Sequence, residues 1–197
     1  MPNFNNRENE RVVLPDGRVI FLARSTAVVG CVLCLHGNDV FVLMVERGDK
    51  VDNSGKWCMP CGYLDWDETL DEAIKREVWE ETGLNLDEVI DQKRALYARI
   101  DQPYYIGSSP KSNRQNISHH FGLVMEGPPP ELKASEALAS GEATAVEWVR
   151  LSTIPTRENI ESSGLSDYFA FNHNEDIHRF FDIWKKAQAK QASAYRY

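Results

Sequence analysis

Three glutamates, Glu77, Glu80 and Glu81, close one stretch of helix-favouring sequence, and they constrain this chain more than any other feature. Residues 67–82 read as a helix, with Asp67 as its N-cap and Gly83 just past its end. At about 100° per residue, Leu70, Ala73, Ile74 and Val78 share one broad face. With Glu77 as zero, Leu70 lies near about +20°, Ile74 near about +60°, Glu81 near about +40° and Glu80 near about −60°. A face that begins apolar therefore ends in carboxylates spaced i, i+3 and i+4. Like charges at that spacing cost about 0.2–0.5 kcal/mol per pair at a surface, and partial burial raises the cost. A hard divalent cation removes the repulsion, and magnesium prefers oxygen donors. Taken alone, the three carboxylates read better as a solvated acidic face balanced by Lys75 and Arg76.

Around this helix the chain alternates between strand and helix signals. Residues 11–14 and 18–23 are β-prone runs flanking Pro15-Asp16-Gly17, a hairpin signal. Strands are expected at 26–35, 40–45, 95–100, 119–125 and 145–151, with polar loops at 46–56 and 101–116. A second helix is expected at 175–189, with Ile177, Phe180, Phe181 and Trp184 on one face and a frayed C-terminal end. No repeat or linker interrupts the pattern. The expectation is one α/β domain spanning 1–197, with its core at about 10–185 and helices on the faces of a mixed β-sheet.

The formal net charge of −8 argues against a broad nucleic-acid or membrane surface, since such surfaces are usually basic. No apolar run reaches the length of a membrane span and the N-terminus has no secretory core, so a cytoplasmic location is expected. The four cysteines form two C-x-x-C pairs, Cys31/Cys34 and Cys58/Cys61. The first pair sits in an apparent buried strand, where residues three apart face opposite ways. The second sits in a turn-like context that would suit an ion better. Buried reduced thiols are the preferred reading over a structural zinc.

The spacing G-x5-E-x7-R-E-U-x-E-E-x-G-U, with U aliphatic, runs from Gly62 through Glu68, Arg76, Glu77, Glu80, Glu81 and Gly83 to Leu84. This stretch resembles the signature of the Nudix hydrolase family at every fixed position. The resemblance implies a Nudix-type α/β/α sandwich with a mixed sheet. It also implies hydrolysis of a diphosphate linkage in a nucleoside diphosphate derivative such as ADP-ribose, NADH or a nucleotide sugar. Mg²⁺, with Mn²⁺ as a substitute, would neutralise the diphosphate and activate water. Glu77, Glu80 and Glu81 become the metal ligands. Glu68 and Arg76 become a pair that orients them, and Gly62 allows a tight loop before the helix. Cys61 stands where many members have glycine, and its backbone carbonyl becomes a further ligand. Glu142, five residues before Glu147-Trp148, is similar to the distal glutamate of the oxidised-nucleotide members and is a candidate ligand or base.

Substrate choice lies outside this box. Tyr104 and Tyr105 are candidate stacking residues in a loop whose Gln102, Pro103 and Ser109 match part of an array in NADH-cleaving members. Phe171-Asn172-His173 is similar to a short stretch of ADP-ribose and NADH-type members, with His173 read as a helix-start residue. Many members are dimers, which leaves a homodimer open. A competing class is a Nudix-fold module that senses a nucleotide without cleaving it; such members usually lose box glutamates, and this chain keeps them all.

Overall fold

The structure is a computed structural model that describes residues 10–22, 26–109, 116–133, 135–165 and 167–194. Strands β1 (Glu10–Val13) and β2 (Val19–Leu22) form a separate antiparallel hairpin. Its turn ends on Gly17 at φ +82°, a conformation that glycine adopts without penalty. The hairpin expected around Pro15-Asp16-Gly17 is thus present, and Ala23 of its second run lies outside the described residues.

The main sheet has eight strands. They are β3 (Thr26–His36), β4 (Asp39–Arg47), β5 (Trp57–Cys58), β6 (Cys61–Tyr63), β7 (Ala95–Arg99), β8 (Tyr105–Ser109), β9 (Asn116–Glu126) and β10 (Ala143–Arg150). The spatial order is β10-β4-β3-β9-β7, with β5 on β4, β6 on β3 and β8 on β9. β3 and β9 run parallel from Thr26↔Ile117 to Leu35↔Glu126, while the neighbouring pairs are antiparallel. The sheet is therefore mixed.

β3 is a near-continuous apolar run because both of its faces are covered. Val28, Val32 and Cys34 pack with Ala73, Ile74 and Val78 of helix α1 (Leu70–Thr82) and with Leu86 and Val89 of α2 (Leu86–Asp91). Val29, Cys31 and Leu33 pack on the other side with Ile177 and Phe180 of α5 (His173–Ala194). The result is an α/β/α sandwich. Cys31 and Cys34 face opposite layers, so they cannot grip one ion, and Cys34 Sγ instead meets the Gly127 carbonyl at 3.3 Å.

Several boundaries differ from expectation. The N-cap of α1 is Thr69, not Asp67, which sits at φ +64° in the preceding turn. The Thr69 hydroxyl accepts from the Glu72 amide, and the Glu72 carboxylate accepts from the Thr69 amide, a reciprocal capping box. Gly83, at φ +70°, ends the helix by donating its N–H to Trp79 O. The expected loop 101–116 contains β8, paired with β9 from Tyr105↔His120 to Ser109↔Asn116; residues 110–115 lie outside the described residues. Its glycine and serine content hides it, and so does the exposed position of Ile106. Helices α2, α3 (Glu136–Ser140) and α4 (Ile160–Ser163) are too short for a periodic signal and were not expected. α5 begins at His173 and extends to Ala194, beyond the expected 175–189. Among the described residues, no helix is long and apolar enough to cross a membrane.

Candidate active site

Arg76 is the centre of the acidic box. It is 3% exposed, and its guanidinium contacts three carboxylates and a carbonyl. Nη2 and Nε donate to Glu68 Oε1 and Oε2 at 2.7 and 3.0 Å, a bidentate fork. Nη1 donates to Glu77 Oε1 at 2.7 Å and to Glu80 Oε2 at 3.0 Å, and Nη2 reaches Tyr63 O at 2.9 Å. Glu68 also accepts from the Asp65 amide. One side chain therefore holds the entry loop, two of the box glutamates and the end of β6 in a single arrangement.

Gly62 is needed for space. It lies inside β6, and its φ is not positive. A Cβ there would overlap the Glu77 carboxylate. The expected tight-loop role is corrected accordingly: the missing side chain lets a buried carboxylate approach the strand backbone.

Glu81, one turn after Glu77 on α1, meets the same strand: its Oε2 accepts the Cys61 amide at 2.9 Å. Burial pushes the Glu77 carboxyl up to about 7, against the pull of Arg76. Burial also raises the Glu81 carboxyl well above the usual range, with the Cys58 sulfur and Glu77 adding to the effect and the Cys61 amide opposing it. These are acidic oxygens gathered in a poorly solvated place where one guanidinium does not neutralise them all. The donor set is oxygen-rich and hard, which fits Mg²⁺ or Mn²⁺.

Beside Cys61, Gly62 and Tyr63 opens a cavity of about 550 Å³, within the range of small-molecule sites. Tyr105 lines it, with the Arg179 guanidinium 3.8 Å over its ring and the His120 ring centroid at 5.1 Å. Tyr104, expected to share its role, is packed beneath: its ring lies 4.8 Å from Phe180, and its hydroxyl donates to Asp176 O at 3.3 Å. Successive strand residues face opposite ways, which separates the two tyrosines. Glu142 is exposed in the turn before β10, is not among the cavity residues, and accepts the Gly48 amide through its carbonyl.

Sequence reasoning did not anticipate the far wall. Arg47 runs along Phe171, with its guanidinium carbon 4.9 Å from the ring centroid. His120 is buried, with Nδ1 3.4 Å from Asp176 Oδ2. Burial and the neighbouring His173 push the His120 imidazole down to about 3. Phe171 and Asn172 both adopt φ +59°, turning the chain into α5. His173 does start that helix, as expected, yet it is buried and its Nδ1 accepts the Met59 amide at 3.0 Å. The resemblance of Phe171-Asn172-His173 to a family stretch was the one available signal for this wall.

The NUDIX domain profile matches residues 24–169. A MutT-like protein of Streptomyces ambofaciens is 36% identical over 125 residues, covering 64% of this chain and 63% of that protein. A putative nudix hydrolase of Caenorhabditis elegans is 44% identical over 54 residues, covering 27% and 14%. The chain thus spans less than two thirds of the length of these curated relatives. The structure is also similar to a bifunctional NMN adenylyltransferase/ADP ribose pyrophosphatase of Francisella tularensis, solved with AMP and a manganese ion. The TM-score is 0.59 at 27% identity, over 80% of this chain and 41% of that one. A profile match over most of the chain, on a mixed-sheet α/β/α sandwich, shows that the chain belongs to the Nudix family.

Proposed function

We propose that the chain is a divalent-cation-dependent hydrolase that cleaves the diphosphate linkage of a nucleoside diphosphate derivative. The observation that carries this reading is the arrangement of Glu68, Glu77 and Glu80 around one buried Arg76, with Glu81 held separately against Cys61. Glu77, Glu80, Glu81 and the Cys61 carbonyl would hold Mg²⁺ or Mn²⁺. The ion would neutralise the diphosphate and lower the pKa of bound water. Arg76 and Glu68 fix the ligand geometry. Glu81 is the candidate base within the box, and Glu142 remains a candidate on a separate loop. The cavity flanked by Tyr105 and Arg179 supports an aromatic, anionic substrate, because a ring can stack there and a guanidinium can meet phosphate oxygens. AMP and manganese in the Francisella structure support a nucleotide-derived ligand. The test is chromatographic detection of the nucleoside monophosphate and other phosphorylated products formed from ADP-ribose, NADH, nucleotide sugars, diadenosine polyphosphates and oxidised dNTPs, with and without Mg²⁺. Binding without turnover of any of them would favour a sensing module instead.

Ion affinity is expected to depend on pH. Glu77 titrates at about 7 when folded, and it must lose its proton before it can ligate. Mn²⁺ affinity should therefore rise about tenfold per unit as pH increases toward 7. The raised Glu81 carboxyl acts in the same direction. Calorimetric titration between about pH 5.5 and 8.5 checks this; a flat profile would mean that neither buried carboxyl is a ligand. Tyr105→Ala is expected to raise KM about tenfold while leaving kcat within a factor of about two, since stacking contributes about 0.5–1.5 kcal/mol. Steady-state kinetics with the substrate found above decides it.

A further inference from the structure

The second C-x-x-C pair does more in the structure than a buried structural thiol would. Cys58 in β5, Cys61 in β6 and His173 at the start of α5 each place a donor atom within 4.8 Å of the other two. All four cysteines are free thiols. Cys61 is half-buried and lines the cavity, while Cys58 is fully buried behind it. The amide of the same Cys61 holds Glu81 Oε2 at 2.9 Å.

Two ligand chemistries fit two sulfurs and an imidazole: a thiophilic ion or a disulfide. The imidazole decides between them. Its Nδ1 accepts the Met59 N–H at 3.0 Å, so a neutral ring carries its proton on Nε2. Neither nitrogen then offers a lone pair to an ion unless the Met59 bond breaks. Histidines that ligate metals normally turn the other nitrogen toward an acceptor, and here it meets a donor.

We propose that Cys58 and Cys61 form a reversible dithiol/disulfide couple, oxidised by a small organic disulfide entering through the substrate cavity, and that its oxidation displaces Glu81. Cys61 sulfur attacks one sulfur of the small disulfide. This forms a mixed disulfide and releases one small thiol, which takes the proton. Cys58 sulfur then attacks the Cys61 sulfur, forming the internal bond and releasing the second small thiol. Two electrons and two protons pass from the protein to the small disulfide. A sulfur–sulfur bond of about 2.05 Å draws the two residues together, which shifts the Cys61 amide away from Glu81 Oε2. Cys31 and Cys34 cannot do the same, because they face opposite layers of the sandwich.

The effect on ion binding rests on the hydrolase reading; formation of the bond does not. The folded, reduced protein is incubated with an excess of a small disulfide and examined by thiol counting and peptide mass mapping. Two of the four thiols should be lost as a Cys58–Cys61 link, and dithiothreitol should restore them. Cys58→Ala should stop at a mixed disulfide on Cys61. Mn²⁺ affinity of the oxidised protein should fall about 10–100-fold, as expected when a ligand is displaced. The proposal is overturned if the folded protein keeps both thiols reduced, if the disulfide forms with Mn²⁺ affinity unchanged, or if the protein carries one tightly bound zinc that blocks the pair. A failed hydrolase reading gives a different result, no turnover by the reduced protein, and leaves the disulfide measurement intact.

Discussion

Replacing Glu81 by glutamine is expected to reduce kcat for diphosphate hydrolysis by about 10²–10⁴-fold with the fold unchanged. The side chain has two roles in the proposed site: an ion ligand and the candidate base. Glutamine is nearly isosteric, and its amide oxygen can still accept the Cys61 N–H now held at 2.9 Å. It carries no charge for a cation and no site for a proton. Burial already strains the carboxylate form, because it holds the Glu81 carboxyl well above its ordinary range; the variant should therefore unfold at the same or a higher temperature than the wild type. Steady-state kinetics and a thermal melt on the same preparation separate loss of chemistry from loss of fold. Turnover at the wild-type rate would remove Glu81 from the mechanism.

Arg76→Met should have the largest effect on stability. The guanidinium is 3% exposed and is tied to Glu68, Glu77 and Glu80. Removing it leaves buried carboxylates facing one another without a counter-charge, and breaking such a buried arrangement costs about 3–5 kcal/mol. The sign of the pH dependence follows from Glu77. Its folded carboxyl already titrates at about 7, above its ordinary 4.5, and without Arg76 it should rise further. A raised carboxyl contributes stability below its unfolded value, and that contribution is lost as pH climbs through the folded one. The variant should thus lose most of its stability relative to wild type above about pH 7 and recover part of it near pH 5. Urea unfolding at the two pH values measures this. Arg76→Lys should not restore it, because an ammonium cannot make the fork to Glu68 and still reach Glu77, Glu80 and the Tyr63 carbonyl. A loss under about 1 kcal/mol at neutral pH would show that the carboxylates do not depend on Arg76.

The box was legible because it is local. Helix spacing places Ala73, Ile74 and Val78 on the core side and leaves Glu77, Glu80 and Glu81 at the end of the same face, and the structure has this arrangement. The opposed directions of Cys31 and Cys34 followed from strand alternation in the same way. Long-range pairing was harder to read. β8 is short, polar and recognisable only through its register on β9. The separation of Tyr104 from Tyr105 depends on that register, so the two tyrosines looked equivalent in the sequence. His173 meets Met59 across 114 residues, and no periodicity or spacing reports such a contact. The requirement for Gly62 is hidden from local sequence for a related reason: it comes from a carboxylate on another element and not from its own backbone angles.

The central claim is that the box carboxylates serve a divalent ion in cleaving a diphosphate. Its most direct test is the rate at which the wild-type protein forms nucleoside monophosphate from the substrate panel, followed by chromatography, first with Mg²⁺ and then with the ion removed by chelation. The account predicts turnover of at least one nucleoside diphosphate derivative with Mg²⁺, loss of it on chelation, and recovery when Mg²⁺ or Mn²⁺ is returned. Equal turnover in the chelated sample would contradict it.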